Sequence, residues 1–141
     1  MLYSPLIRTA MQIACRAHAG QTDKAGYPYL HHPLHLAEQM TDEYAVCAAL
    51  LHDVMEDTEV SDQALSRVMP EEVMKALRLL THNESVPYLD YVRAIKQNPI
   101  ARAVKLADLK HNSDLSRLDE VTPKALERVQ KYAAAMAILS E

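Results

Sequence analysis

Four side chains stand out by type: His32, the adjacent His52 and Asp53, and Asp108. Two imidazoles and two carboxylates form a mixed nitrogen and oxygen donor set, the kind that holds a catalytic divalent metal such as Mn²⁺, Fe²⁺ or Zn²⁺. Their setting matters as much as their type. His52-Asp53 follows the apolar run Ala45-Val46-Cys47-Ala48-Ala49-Leu50-Leu51, and Glu56-Asp57 comes one turn later. Ionisable groups at the end of a helix with a buried pattern are costly unless something satisfies them. A metal together with a phosphorylated ligand would do so. Asp108 follows Val104, Leu106 and Ala107, so it too is pulled towards a core.

The spacing adds a second tier. His52 and Glu56 are four residues apart, as are Asp53 and Asp57, so each pair shares a stripe of one helix. One stripe then presents a ligand while its neighbour presents an acid or base one turn on. Asp108 and Asn112 repeat the spacing, Lys105 lies three residues before Asp108, and His32 and His35 are neighbours on one helix. The plain alternative is a set of solvated helix ends, with Asp108 paired to Lys105 or Lys110. A lone His at a helix end is more often hydrogen-bonded or exposed than a ligand.

The elements that position these residues read as all-α. Ser4-Pro5 is an N-cap followed by Pro at the first helical position, and Gly20 fits the stop. Leu6, Ile7, Ala10, Ile13, Ala14 and Ala17 mark one face between them. Pro33 opens a second helix to about residue 40, and a third is expected over 42–56. Ser61 caps a short fourth, and Pro70 opens a fifth reaching about Leu80. Segments near 86–97 and 99–112 follow, and Thr122-Pro123 starts a last helix ending near Leu139. No alternating strand pattern, repeat or linker interrupts them, so residues 1–141 are expected to form one multi-helix domain. Both glycines, Gly20 and Gly26, bracket the loop before His32. They serve either a ligand's close approach or an ordinary turn.

A length of 141 residues, 49% apolar and 24% charged, suits a domain with a real core. No run of 18 apolar residues exists, so no membrane partner is expected. The first residues lack a basic stretch followed by an apolar one, which points to the cytoplasm. A net charge of −4 without a Lys/Arg run disfavours nucleic acid, while a local metal can still attract phosphate. Cys15 and Cys47 read as small core residues in a reducing compartment. Tyr88, Tyr91 and the last helix line either a pocket wall or a homo-oligomer face, and periodicity does not separate the two.

Four segments carry a resemblance. They are Ala17-His18-Ala19-Gly20-Gln21, the stretch from Lys24-Ala25-Gly26-Tyr27-Pro28-Tyr29 through His32-Pro33-Leu34, Leu51-His52-Asp53-Val54-Met55-Glu56-Asp57-Thr58, and Val104-Lys105-Leu106-Ala107-Asp108. In this order they resemble the HD-domain metal-dependent phosphohydrolases, and most of all the (p)ppGpp hydrolase branch of Rel/SpoT enzymes and stand-alone small alarmone hydrolases. The resemblance implies an all-α HD domain in which His32, His52, Asp53 and Asp108 bind one metal. That metal is usually Mn²⁺, with Fe²⁺, Zn²⁺ or Co²⁺ as alternatives. Glu56 and Asp57 match an acidic pair implicated in activating water and in proton transfer. Lys24, Tyr29 and Asn112 match positions around the nucleotide, and Lys105 stands where it can offset phosphate charge. The implied reaction removes the 3′-diphosphate of ppGpp, and the chain's length implies a hydrolase without a synthetase domain.

Two departures bear on the base. The family commonly has Arg where this chain has Asp23, and often Arg where it has Asp114. Another nucleotide phosphohydrolase on the same site (a nucleotidase or an NADPH phosphatase), or a non-catalytic nucleotide-binding module, are the competing expectations.

Overall fold

The computed structural model describes residues 1–141. Nine α-helices follow one another: α1 Pro5–Ala17, α2 His31–Glu38, α3 Glu43–Leu51, α4 Val54–Asp57, α5 Asp62–Ser66, α6 Glu71–Leu80, α7 Tyr88–Lys96, α8 Pro99–Asn112 and α9 Pro123–Ser140. A 3₁₀ turn, Leu115–Arg117, precedes α9. There is no strand, only an isolated bridge between Thr22 and Pro28. The helix starts expected from sequence work as capping devices. Ser4 Oγ accepts from the Ile7 amide at 3.1 Å, Ser61 Oγ from Ala64 at 3.1 Å and Thr122 Oγ1 from Ala125 at 3.2 Å.

Helix α3 is the axis of the core. It is apolar on every side, and Ala45 through Leu51 are all buried. A helix without a polar face must be surrounded, and α1, α2, α6 and α8 pack around it. Its alanines at 45, 48 and 49 let those neighbours come close. Val46 through Leu51 and the apolar faces of the other helices form one cluster of 28 buried residues.

The helix expected over 42–56 does not run through. It ends at Leu51, Asp53 leaves helical geometry at φ −107° and ψ 1°, and α4 is a separate turn. The cause is local. His52 Nδ1 donates to the Ala49 carbonyl at 2.6 Å, the acceptor that the Asp53 amide would use in a continuing helix. A second correction concerns Cys15, which is exposed while Cys47 is fully buried. The buried stripe of α1 is Ile7, Ala10 and Ala14, and Cys15 falls about 100° from Ala14, on the solvent side.

Both glycines have positive φ, +81° at Gly20 and +86° at Gly26, and a Cβ on either would meet nothing within 4 Å. These positions require the left-handed backbone of a turn, which only glycine adopts readily. No helix is long and apolar enough to cross a membrane.

Candidate active site

Three elements bring the donor set together. His32 lies in the first turn of α2, His52 and Asp53 at the break after α3, and Asp108 in the last turns of α8. His32 Nε2 lies 2.8 Å from Asp108 Oδ1. His52 Nε2 lies 3.0 Å from Asp53 Oδ2 and 3.6 Å from Asp108 Oδ1. The ligand atoms of His32, His52 and Asp53 all fall within 4.8 Å of one another.

This arrangement fits a divalent cation. His52 Nδ1 is committed to the Ala49 carbonyl, which turns Nε2 to the carboxylates. That nitrogen is buried and makes no hydrogen bond, although two carboxylate oxygens are near. Closeness without hydrogen-bond direction is what donors converging on a shared ion display. Burial opposes the His52 imidazolium, yet Asp53 and Asp108 raise its pKa well above the ordinary value. Burial likewise opposes the carboxylates, but His52 lowers Asp53, and Lys105 with the two imidazoles lowers Asp108. The cluster thus favours positive charge, which protons or a divalent metal would supply.

The surroundings hold the donors in place. Tyr29 donates its hydroxyl to Asp53 Oδ2. Lys105 Nζ donates to Asp108 Oδ2 at 2.9 Å, and Asn112 Nδ2 to Asp108 Oδ1 at 3.0 Å. The plain pairing of Asp108 with Lys105 and its place in the cluster are therefore both present. His32 Nδ1 lies 2.7 Å from His111 Nδ1, with the rings stacked at 5.0 Å. A hydrogen bond behind a ligating ring fixes its orientation.

The acidic pair is exposed at the rim. Glu56 Oε1 accepts from the His82 amide at 2.7 Å, which tethers it to the loop after α6. The Asp57 pKa is raised, by burial first and then by the charges of Asp53 and Glu56.

A cavity of about 540 Å³ opens over the cluster, lined by Asp53, Glu56, Asp57 and Asp108 on one side. Its outer wall holds Lys24, Arg117, Arg128 and Tyr132. Lys24 and Arg128 make no ion pair, and burial with the nearby Arg128 lowers the Lys24 pKa. Asp23 is paired instead with Arg117, Nη1 to Oδ2 at 3.4 Å. Asn112 and Lys105 also line this space. The last helix therefore supplies pocket wall, while Tyr91 is buried behind it, donating to the Leu80 carbonyl.

Sequence reasoning missed Arg117, Arg128, Tyr132, His111 and His82. Arg128 and Tyr132 carried a readable signal, a cation and an aromatic one turn apart on one helix face. Nothing local links Arg117 to Asp23 or His82 to Glu56.

Fold and donor set define an all-α domain with a buried His/Asp cluster compatible with a divalent metal. The HD domain family matches residues 10–137, and the chain belongs to it. It is 33% identical over 138 residues to human guanosine-3′,5′-bis(diphosphate) 3′-pyrophosphohydrolase MESH1, covering 87% of this chain and 76% of that one. It is 34% identical over 143 residues to a GTP pyrophosphokinase of Streptomyces coelicolor, covering 90% of this chain and 17% of that enzyme. The bifunctional (p)ppGpp synthase/hydrolase SpoT of Escherichia coli K12 is 29% identical over 140 residues, and the chain spans 20% of its length. A solved structure described as a metazoan ortholog of SpoT that hydrolyzes ppGpp superposes with a TM-score of 0.77 at 26% identity, over 99% of this chain and 88% of that one.

Proposed function

We propose that residues 1–141 act as one HD domain, a cytoplasmic metal-dependent hydrolase that removes the 3′-diphosphate of ppGpp to give GDP and pyrophosphate. The observation that carries this reading is a buried His/Asp cluster at the floor of a 540 Å³ cavity whose outer wall holds unpaired cations. A floor that attracts a cation and a wall that attracts anions suit a polyphosphorylated nucleotide. The likeness to MESH1 over most of both chains points the same way.

His32, His52, Asp53 and Asp108 would hold one divalent ion, Mn²⁺ foremost. When bound, such an ion activates water and polarises a phosphoryl oxygen. Glu56, steadied by the His82 amide, takes the proton of the attacking water. Asp57, whose pKa is raised by burial and by the charges of Asp53 and Glu56, delivers a proton to the ribose 3′ oxygen as its bond to phosphorus breaks. Lys24 and Arg128 offset the charge on the phosphates. Tyr29 and Lys105 orient Asp53 and Asp108, and Asn112 fixes Asp108 from the opposite side.

A Mn²⁺-supplemented turnover assay on ppGpp, reading pyrophosphate and phosphate separately, tests this. Pyrophosphate release that disappears in Asp53→Ala is expected. Equal turnover by wild type and Asp53→Ala would refute it. The pairing of Asp23 inside the cavity supports a second reading, a different nucleotide as substrate. That reading predicts phosphate as the product.

A further inference from the structure

We infer that His31, His35 and His111 form a second metal site, on the exposed side of α2, that takes a transition ion such as Zn²⁺. His31 and His35 are four residues apart on α2, so they share one stripe of that helix, and both are exposed. His111, from the last turn of α8, packs its ring against both. Ring centres lie 4.2 Å apart for His35 and His111, 5.6 Å for His31 and His111, and 6.3 Å for His31 and His35. Three imidazoles on one tetrahedral ion, with metal–nitrogen bonds of about 2 Å, have ring centres about 5 Å apart. The observed spacings bracket that value, and the two exposed rings are free to turn onto a shared ion.

The donors are uncommitted. Neither the His31 nor the His35 imidazole takes part in a hydrogen bond or ion pair. His111 uses Nδ1 alone, and its proton can be placed. Asp108 is ionised and its Oδ1 only accepts, so His32 Nε2 donates to it at 2.8 Å. A neutral His32 then accepts at Nδ1, and His111 Nδ1 donates to it at 2.7 Å. The lone pair of a neutral His111 is left on Nε2, which makes no hydrogen bond and is not sealed from solvent. Burial, with His31, His32 and Arg117 nearby, lowers the His35 pKa against the opposing pull of Asp114, which favours the neutral ring that a metal needs. An all-imidazole set suits Zn²⁺, Cu²⁺ or Ni²⁺, whereas carboxylates suit Mn²⁺. One proton links this site to the His/Asp cluster. An ion on His32 Nε2 displaces the proton there to solvent, the shared proton passes to His32 Nδ1, and His111 Nε2 takes one up. Each ion therefore opposes the other. The coupling rests on His32 as a donor to the inner ion, and the outer site does not.

Calorimetric titration with Zn²⁺ tests the site in Asp53→Ala, where the inner cluster has lost a donor, and in the same chain also carrying His31→Gln and His35→Gln. Both of these side chains are exposed, so their replacement leaves the core intact. Removing the hydrogen-bond partner behind a ligand already costs about 10–100-fold in metal affinity, so losing two ligands should weaken the tightest Zn²⁺ site at least about tenfold. Unchanged affinity would overturn the site. His111→Gln in the Asp53→Ala chain should weaken Zn²⁺ as well, and no change there would leave only a pair on the helix surface and overturn the three-ring site. Coupling is read from the electron paramagnetic resonance of free Mn²⁺. Zn²⁺ should release bound Mn²⁺ from wild type at a several-fold lower concentration than from His31→Gln/His35→Gln. Equal release would overturn the coupling. A wild type that binds no Mn²⁺ would overturn the coupling and the inner metal site together, and leave the Zn²⁺ comparison standing.

Discussion

Lys105→Met removes the ammonium that neutralises the most buried carboxylate of the molecule. Asp108 is 6% exposed and receives Lys105 Nζ at 2.9 Å. Burial works against the charge on Lys105, but Asp108 holds its pKa above the ordinary value, so the pair exists in its ionised form. Breaking a buried ion pair by removing one partner costs about 3–5 kcal/mol, because the other charge stays desolvated. Asp108 keeps its contacts with His32 at 2.8 Å and Asn112 at 3.0 Å. These place the expected loss at the low end, about 3 kcal/mol. Equilibrium urea denaturation in chelator should show a lower midpoint with an unchanged slope. Repeating the measurement with saturating Mn²⁺ should narrow the gap between variant and wild type, since the ion returns positive charge to Asp108. A loss below about 1 kcal/mol in chelator would refute the account of the pair. A gap that stays the same or widens with Mn²⁺ would refute Asp108 as a donor.

Three further outcomes follow from other parts of the fold. A thiol reagent should modify Cys15 in the native protein and reach Cys47 only after unfolding, because Cys47 is fully buried and its thiol is pushed up to about 12. Thr122→Ala should cost about 1 kcal/mol by leaving the Ala125 amide uncapped, read as a lowered urea midpoint. Burial, with Arg117 and neighbouring histidines, lowers the His111 pKa from 6.5 to about 4 in the folded chain. The unfolded chain therefore takes up this proton first, so the contribution is complete above pH 6.5 and is lost as pH falls through about 4. His111→Gln should lack that part of the acid limb when stability is compared across this range.

Much of the donor set was legible because its signal is local. An apolar run that ends in His52-Asp53, and an Asp108 that follows three apolar residues, conflict with core patterning unless something satisfies them. The capped helix starts at Ser4, Ser61 and Thr122 were legible for the same reason, since cap and donating amide lie three residues apart. The break after Leu51 was not, because it turns on whether the His52 ring takes the Ala49 carbonyl, a choice that periodicity does not contain. The outer wall was hidden for a different reason. Asp23 and Arg117 are 94 residues apart, and only packing of the 3₁₀ turn against the glycine-flanked loop makes them partners. Cys15 shows the limit of composition, since one step around a helix separates core from solvent.

The dispersal of the donors along the chain has a consequence for synthesis. Lys24, His32, His52 and Asp53 are made early, whereas Asp108 belongs to α8, and Arg117, Arg128 and Tyr132 to the 3₁₀ turn and α9. A nascent chain lacking α8 carries three donors and no fourth, and its α3 has lost one of the helices that bury it. Capture of an ion by all four donors would then be a late event that reports arrival of the C-terminal third. Both the donor cluster and the cavity wall are therefore completed only when the C-terminal third packs onto the rest.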